Sequence, residues 1–181
     1  NRRREIENTE LWFDEPACNP DVFISYSRAD SKIVQQLYDV LTAKGIVVWY
    51  DKKNLGVGAN FMLEIRDAIR SCKLFVPVLS KNLIRQAADE HVYRKEWIYA
   101  VEHKKMTSPK VPYIIPLCEK DFDINNDLVG IESEIIKAHN VARYSEGGLI
   151  SDLERFAGVI NGKLSEIVEL KNRIRKTNGR K

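Results

Sequence analysis

Cysteine and histidine are scarce in this sequence, with three residues of each type in 181. The cysteines, Cys18, Cys72 and Cys118, are odd in number and far apart, and no CxxC spacing occurs. This pattern argues against a zinc site and predicts that no metal is bound. It indicates reduced thiols in a cytoplasmic compartment.

Long hydrophobic runs are also missing. The longest apolar stretches, "LFVPVL" (74–79) and "VPYIIPLC" (111–118), are far too short to cross a bilayer, and no signal peptide is recognisable. We therefore expect no membrane partner. The chain begins without a methionine, which is typical of a fragment of a longer protein.

A strong charge imbalance is absent, since the formal net charge is only +3. Much of the basic character lies at the two ends, in "NRRRE" (1–5) and "KNRIRKTNGRK" (171–181). Such runs are typical of solvated tails, whereas a nucleic-acid site lines one face of the fold. The sequence predicts no nucleic-acid partner.

Three catalytic and phosphate-binding motifs are absent. Neither GxGxxG nor GxxxxGK[ST] occurs, which excludes a classical dinucleotide fingerprint and a Walker loop. No GxSxG occurs, and the three histidines have no obvious nucleophile partner, which argues against a Ser/His/Asp hydrolase.

What is present is the composition of an ordinary globular domain, with 44% hydrophobic and 30% charged residues. The length predicts one domain with short extensions. Residues 1–20 are polar or interrupted by proline and are interpreted as a leader or linker. The domain is expected over residues 21–165, and residues 166–181 as the end of the last helix and a basic tail.

Short apolar runs alternate with segments of helical spacing. The expected strands are 21–26, 46–50, 73–79, 111–117 and, more weakly, 139–144; the expected helices are 30–45, 59–72, 91–105, 149–174 and, more weakly, 130–138. Strands that are apolar on both faces and alternate with helices indicate parallel pairing. We predict an α/β fold, a flavodoxin-like doubly wound sheet of five parallel strands in the order 2-1-3-4-5, with helices on both faces.

The first predicted helix has a signal at each end. Asp30 or Ser31 can cap its start, and Gly45 suits the left-handed conformation at its stop. In the predicted order the chain reverses direction between strands one and three, where open α/β sheets bind ligands at the carboxyl ends of the strands. That crevice would be lined by residues 27–30, 51–58 and the segment after Leu79.

Glu96 lies in the helix that follows strand three, and hence beside the crevice. Its helical neighbours three and four residues away carry no charge, and it falls at the edge of the apolar arc, where a side chain is partly covered. A carboxylate there is costly unless a group outside the helix binds it. From the residues alone, a salt bridge to another segment and a functional site both stay open.

The segments "DVFISYSRAD" (21–30) and "GIVVWYDKKNLGVGANFMLEIRDAIRSCKLFVPVLSKN" (45–82) resemble the TIR domain, the Toll/interleukin-1 receptor module. The resemblance covers residues 21–165. It depends on the first box "DVFISYS", on Asp51 at the end of strand two, on the "LxxG" of residues 55–58 and on "VLS" (78–80), which come in the family's order. The fold of that family is the sheet predicted above.

Many TIR domains, especially bacterial, plant and axon-degeneration ones, cleave NAD between nicotinamide and ribose with a glutamate on the helix after strand three. In "VYRKEWIYAV" (92–101), Glu96 matches this glutamate, Ala100 the alanine and Val101 the leucine of a form like "WxxxEIxxAL". The resemblance implies that Glu96 is the catalytic acid, that NAD is the substrate and that no cofactor is needed.

The resemblance also implies substrate contacts at the crevice. Those after strand one are Ser25, Tyr26, Ser27, Arg28 and Asp30, and the others are Leu55, Gly56, Gly58, Ser80 and Val92. Val92 is a departure, since relatives carry a tryptophan there that helps to hold a ring of the substrate. Tyr93 or Trp97 could compensate, although Trp97 is expected to face the core.

Two functions compete. The first is an NAD glycohydrolase acting as an immune or antiphage effector, with or without ADP-ribose cyclase activity. The second is a non-catalytic homotypic TIR scaffold. Glu96 favours the first, as does a second loop without the "RDxxPG" form of animal receptors and adaptors. A phosphorelay receiver of the same topology needs an aspartate where this chain has Ser80. By resemblance, homotypic TIR–TIR assembly is expected.

Overall fold

The structure, a computed structural model, describes residues 19–50, 59–85, 92–127 and 141–178. The strands are β1 Val22–Ser25, β2 Val48–Tyr50, β3 Leu74–Leu79, β4 Leu117–Glu119 and β5 Ala142–Tyr144. The helices are α1 Ser31–Ala43, α2 Ala59–Ser71, α3 Lys81–Arg85, α4 Val92–Met106, α5 Ile124–Asp127 and α6 Leu149–Asn178.

The five strands form one parallel sheet in the order β2-β1-β3-β4-β5. This confirms the predicted fold class and strand order. β1 lies between β2 and β3, with Ser25 opposite Pro77 at its carboxyl end. The reversal of chain direction therefore falls between β1 and β3, as expected for a ligand crevice.

Side chains alternate across the sheet and build a core on each face. On one face, Val22 and Ile24 of β1 pack in a cluster that also contains buried residues of α1 and α6. On the other, Phe23 packs with buried residues of α2 and α4, and its ring stacks on Trp49 with centroids 4.4 Å apart. The helices therefore cover both faces, which explains why the strands are apolar on both sides.

Two element boundaries test the turn chemistry of the sequence. Gly45 follows α1 with φ +76°, the left-handed conformation that glycine adopts without steric cost. The fourth strand was expected at 111–117 but pairs continuously only over Leu117–Glu119, with an isolated bridge between Phe75 and Ile114. Pro112 and Pro116 lack the backbone N–H that a ladder needs, so regular pairing begins after Pro116.

The last helix extends farther than its sequence pattern suggested, over 30 residues to Asn178. The short helices α3 and α5 have no counterpart among the predictions. The weak helix expected at 130–138 lies outside the described residues. Among the helices that the structure describes, none is long and apolar enough to cross a membrane.

Candidate active site

Ser25 ends β1 on the face that carries Phe23, because residues two apart in a strand share a face. Its side chain points to the layer of α2 and α4 and is only 1% exposed. A buried hydroxyl at the end of an apolar strand needs hydrogen-bond partners. Ser25 finds them in α4.

Glu96 of α4 accepts a hydrogen bond from Ser25, with 2.5 Å between Oγ and Oε2. Its side chain is 4% exposed, which is more buried than the edge position expected from the helical wheel. The two residues are 71 positions apart in sequence. The fold thus brings the predicted catalytic acid to the carboxyl end of β1, beside the point where the strand order reverses.

Trp97 completes this group of three, which we call the Glu96 cluster (Ser25, Glu96, Trp97). Its indole Nε1 donates to Ser25 Oγ over 3.1 Å. The ring is 4% exposed and packs in the core between the sheet and α2 and α4, which confirms the expectation that Trp97 faces the core. The polar role of its N–H was not anticipated.

A second buried polar group, the Asp30 cluster (Asp30, Ser80, Asn82), lies at the same edge. Asp30 Oδ2 accepts from Ser80 Oγ over 2.5 Å, and Oδ1 accepts from Asn82 Nδ2 over 2.7 Å. Asp30 occupies the N-cap position of α1, but its side chain makes no capping hydrogen bond. Asp30 thus lies at the expected cap position but makes no capping hydrogen bond, because its carboxylate joins the turn after β1 to the segment after β3.

Burial raises the pKa of the Asp30 carboxyl above its ordinary value of 3.8, against the opposing hydrogen bonds from Ser80 and Asn82. The charge of Glu119, at the end of β4, raises it further. Glu119 Oε2 itself accepts from the backbone N–H of Lys81, over 2.8 Å. The turn after β1, the segment after β3 and the end of β4 are thus connected through carboxylates.

The remaining predicted contacts after β1 have different surroundings. Ser27 is buried and its Oγ accepts from the backbone N–H of Ala29 over 3.3 Å. Arg28 is exposed in the single 3₁₀ turn that follows. Tyr26 is half-buried, with its ring 6.1 Å from that of Tyr50. Of these three residues, Arg28 is the one whose side chain is exposed to solvent.

For four predicted substrate contacts, the residue or its side chain lies outside the part of the chain that the structure describes. Leu55, Gly56 and Gly58 lie outside the described residues, as does the side chain of Val92, whose backbone begins α4. Their role as substrate contacts stays a prediction.

Two polar residues at this edge of the sheet, Asn82 of the Asp30 cluster and Glu119 beside it, were missed from the sequence. Neither residue belongs to a motif named above, and their partners lie 52 and 38 positions away in the chain. The signal available was positional: Asn82 follows β3 and Glu119 ends β4, at the edge where the crevice was expected.

The cysteines that the structure describes, Cys72 and Cys118, are free and buried. Burial raises the pKa of the Cys72 thiol to about 12 and that of Cys118 to about 11, which disfavours the reactive thiolate. Within the described part of the chain, no group of three or more histidine, cysteine, aspartate or glutamate side chains is arranged to hold a metal ion.

Geometry and chemistry together define a class: a doubly wound α/β domain with a buried carboxylate at its switch point. The family model of the TIR domain matches residues 22–145. Because that match covers more than half of the chain, the protein belongs to the TIR domain family.

Curated relatives are similar over part of the chain. An NAD(+) hydrolase, TcpC from Escherichia coli O6:H1, is 30% identical over 83 residues, which are 45% of this chain and 27% of that protein. A probable 2' cyclic ADP-D-ribose synthase, TcpO from Methanobrevibacter olleyae, is 25% identical over 87 residues, 48% of this chain and 26% of that protein. The matched region thus spans about a quarter of the length of these relatives.

Solved structures of TIR domains share the fold. The TIR domain of the Toll-related receptor TRR-2 from Hydra magnipapillata has a TM-score of 0.52 at 17% identity, covering 87% of this chain and 99% of that one. The TIR domains of the activated Roq1 resistosome give 0.50 at 20% identity, covering 86% and 99%. At this level of identity, the likeness concerns the fold alone.

Proposed function

We propose that this TIR domain is an NAD nucleosidase that cleaves the bond between nicotinamide and ribose, with Glu96 as its catalytic residue. The observation that carries the proposal is the buried Glu96 carboxylate, held by Ser25 at the carboxyl end of β1. The relatives named as an NAD(+) hydrolase and a cyclic ADP-ribose synthase support the same chemistry.

The reaction suits a single carboxylate. Nicotinamide leaves as a neutral base, so positive charge develops on the ribose C1' and the ring oxygen, as in glycoside hydrolysis. A fixed negative charge in a water-poor site stabilises that cation, because the groups of the protein are already in place and need not reorganise as the charge develops. Water then attacks C1' and loses a proton, giving ADP-ribose. In a cyclising variant of the reaction, a group of the substrate itself replaces the water.

Substrate contacts are proposed around this acid. Arg28 is suited to the diphosphate because its guanidinium is exposed and offers paired donors. The other proposed contacts are Ser25, Tyr26, Ser27, Leu55, Gly56, Gly58 and Val92. For Asp30 and Ser80, the hydrogen bond between them supports a structural role beside any substrate contact.

The test is release of nicotinamide from NAD by concentrated protein, followed by chromatography that also separates ADP-ribose from its cyclic isomers. We expect Glu96→Gln to lower the rate by about a hundredfold or more, because the negative charge at C1' is lost. Glu102→Gln is the matched control, since Glu102 lies on the same helix but is exposed. Equal rates in wild type and Glu96→Gln would remove Glu96 from the chemistry.

The proposal extends to assembly and to biological role. By family resemblance, the domain acts as a cytoplasmic immune or antiphage signalling effector, and homotypic contacts complete its site. We expect the specific activity to rise with protein concentration. The particle mass measured by light scattering should rise in parallel. If no nicotinamide is released even by assembled protein, the chain is a homotypic scaffold instead.

A further inference from the structure

The Glu96 cluster has a fixed direction of hydrogen bonding. An indole N–H can only donate and an ionised carboxylate can only accept, whereas a serine hydroxyl does both. Since Trp97 donates to Ser25 Oγ, the single proton of that hydroxyl is left for Glu96. The chain of donors therefore runs from the indole through the serine to the acid.

Helix geometry explains why a serine from another element is needed. Adjacent residues of an α-helix diverge by about 100° and do not face each other, so Trp97 cannot orient its neighbour Glu96 along the helix. Ser25, from the sheet, lies within hydrogen-bond distance of both, at 3.1 Å from Nε1 and 2.5 Å from Oε2. It links two side chains that the helix alone keeps apart.

All three side chains are buried, with exposed fractions of 1% for Ser25 and 4% each for Glu96 and Trp97. In a water-poor interior, hydrogen bonds in series strengthen one another, and a misdirected hydroxyl is costly. Without the indole donor, Ser25 Oγ would lose one of its two hydrogen bonds, and the serine rotamer that faces the carboxylate would be less firmly fixed.

From this geometry we infer that Trp97 is a positioning residue: through Ser25, its indole N–H fixes the orientation of the Glu96 carboxylate toward the substrate ribose. The catalytic part of this inference rests on the proposed function, whereas the coupling of the three side chains does not. Trp97 itself touches neither substrate nor reacting atoms in this account.

Kinetics test the catalytic part. Trp97→Phe, or replacement of Trp97 by 3-benzothienylalanine, removes the N–H, and the second change keeps the size of the ring. We expect kcat to fall about tenfold with KM little changed, because the acid is present but less well placed. Trp49→Phe is the control: Trp49 packs in the same core layer, against Phe23, outside the Glu96 cluster. Full kcat in the benzothienyl variant of an active protein would overturn the positioning role.

Spectroscopy tests the coupling without any activity. The chain has three tryptophans, so its indole N–H resonances are few, and the Trp97 resonance is identified by its loss in Trp97→Phe. We expect Glu96→Gln to shift this resonance, and the shift to disappear in a Ser25→Ala background. A shift that is equal in both backgrounds, or absent from both, would refute the relay. Wild type that releases no nicotinamide, with the coupling intact, would instead refute the proposed function alone.

Discussion

The Glu96 cluster and the Asp30 cluster contain the same pair, a carboxylate that accepts from a serine over 2.5 Å, and they differ in the third member. In the Asp30 cluster the third residue, Asn82 of α3, donates to the carboxylate, so both oxygens are held by the segment that follows β3. In the Glu96 cluster the third residue donates to the serine. The arrangement in the Asp30 cluster joins two segments of the chain, whereas the arrangement in the Glu96 cluster orients a carboxylate.

The largest contrast is between catalysis and stability. We expect Glu96→Gln to lower nicotinamide release by about a hundredfold or more but to change the free energy of unfolding by less than about 1 kcal/mol, since glutamine still accepts from Ser25. Asp30→Ala should lower the free energy of unfolding by about 2–3 kcal/mol, because it leaves buried donors without an acceptor. Urea denaturation and the nicotinamide assay on both variants check this.

That contrast has a clear failure. If Asp30→Ala abolished nicotinamide release while leaving the urea midpoint unchanged, the Asp30 cluster would be part of the chemistry. A large loss of stability in Glu96→Gln would place Glu96 among the structural acids.

A smaller effect concerns pH. Because burial raises the pKa of Asp30 in the folded state above 3.8, the folded protein binds the proton more tightly than the unfolded chain does. Relative to Asp30→Asn, the wild type should therefore be most stable below pH 3.8 and lose that advantage as the pH rises through the folded-state pKa. Urea unfolding of both proteins from pH 3.5 to 7 measures the difference, and a slope of the opposite sign contradicts the assignment.

The smallest expected effect is that of Asn82→Ala. Asn82 is half-buried and supplies one of the two side-chain donors to Asp30. Its removal should cost about 1 kcal/mol in the free energy of unfolding, with nicotinamide release unchanged. If the rate of nicotinamide release fell while the free energy of unfolding changed by no more than about 1 kcal/mol, the segment after β3 would contact the substrate.

Much of the fold was predictable because it depends on local patterns. Apolar runs alternating with helical spacing led to the parallel sheet and its order, and Gly45 marked the end of the first helix. The fourth strand was misplaced because its apolar run includes Pro112 and Pro116, whose missing N–H groups hydrophobicity does not register.

The site was predictable only in part. The place of Glu96 after strand three and its uncharged helical neighbours marked it as a candidate, whereas its catalytic role was implied only by the resemblance to the TIR family and stays a prediction. The donor from Trp97 to Ser25 joins residues 72 positions apart, so no spacing rule could reveal it. Trp97 was correctly expected in the core, yet the packing argument that placed it there concerns its ring and is silent about its N–H.

The alternation of side chains in β1 has a practical consequence for protein engineering. Ser25 points to the layer of α2 and α4, whereas Asp30 immediately precedes α1, whose buried residues pack on the opposite face of the sheet. The hydrogen bonds described for the two clusters share no residue, so we expect the energetic effects of changes in the two clusters to sum. Loop stability could therefore be tuned on one side while the reaction chemistry on the other is kept constant.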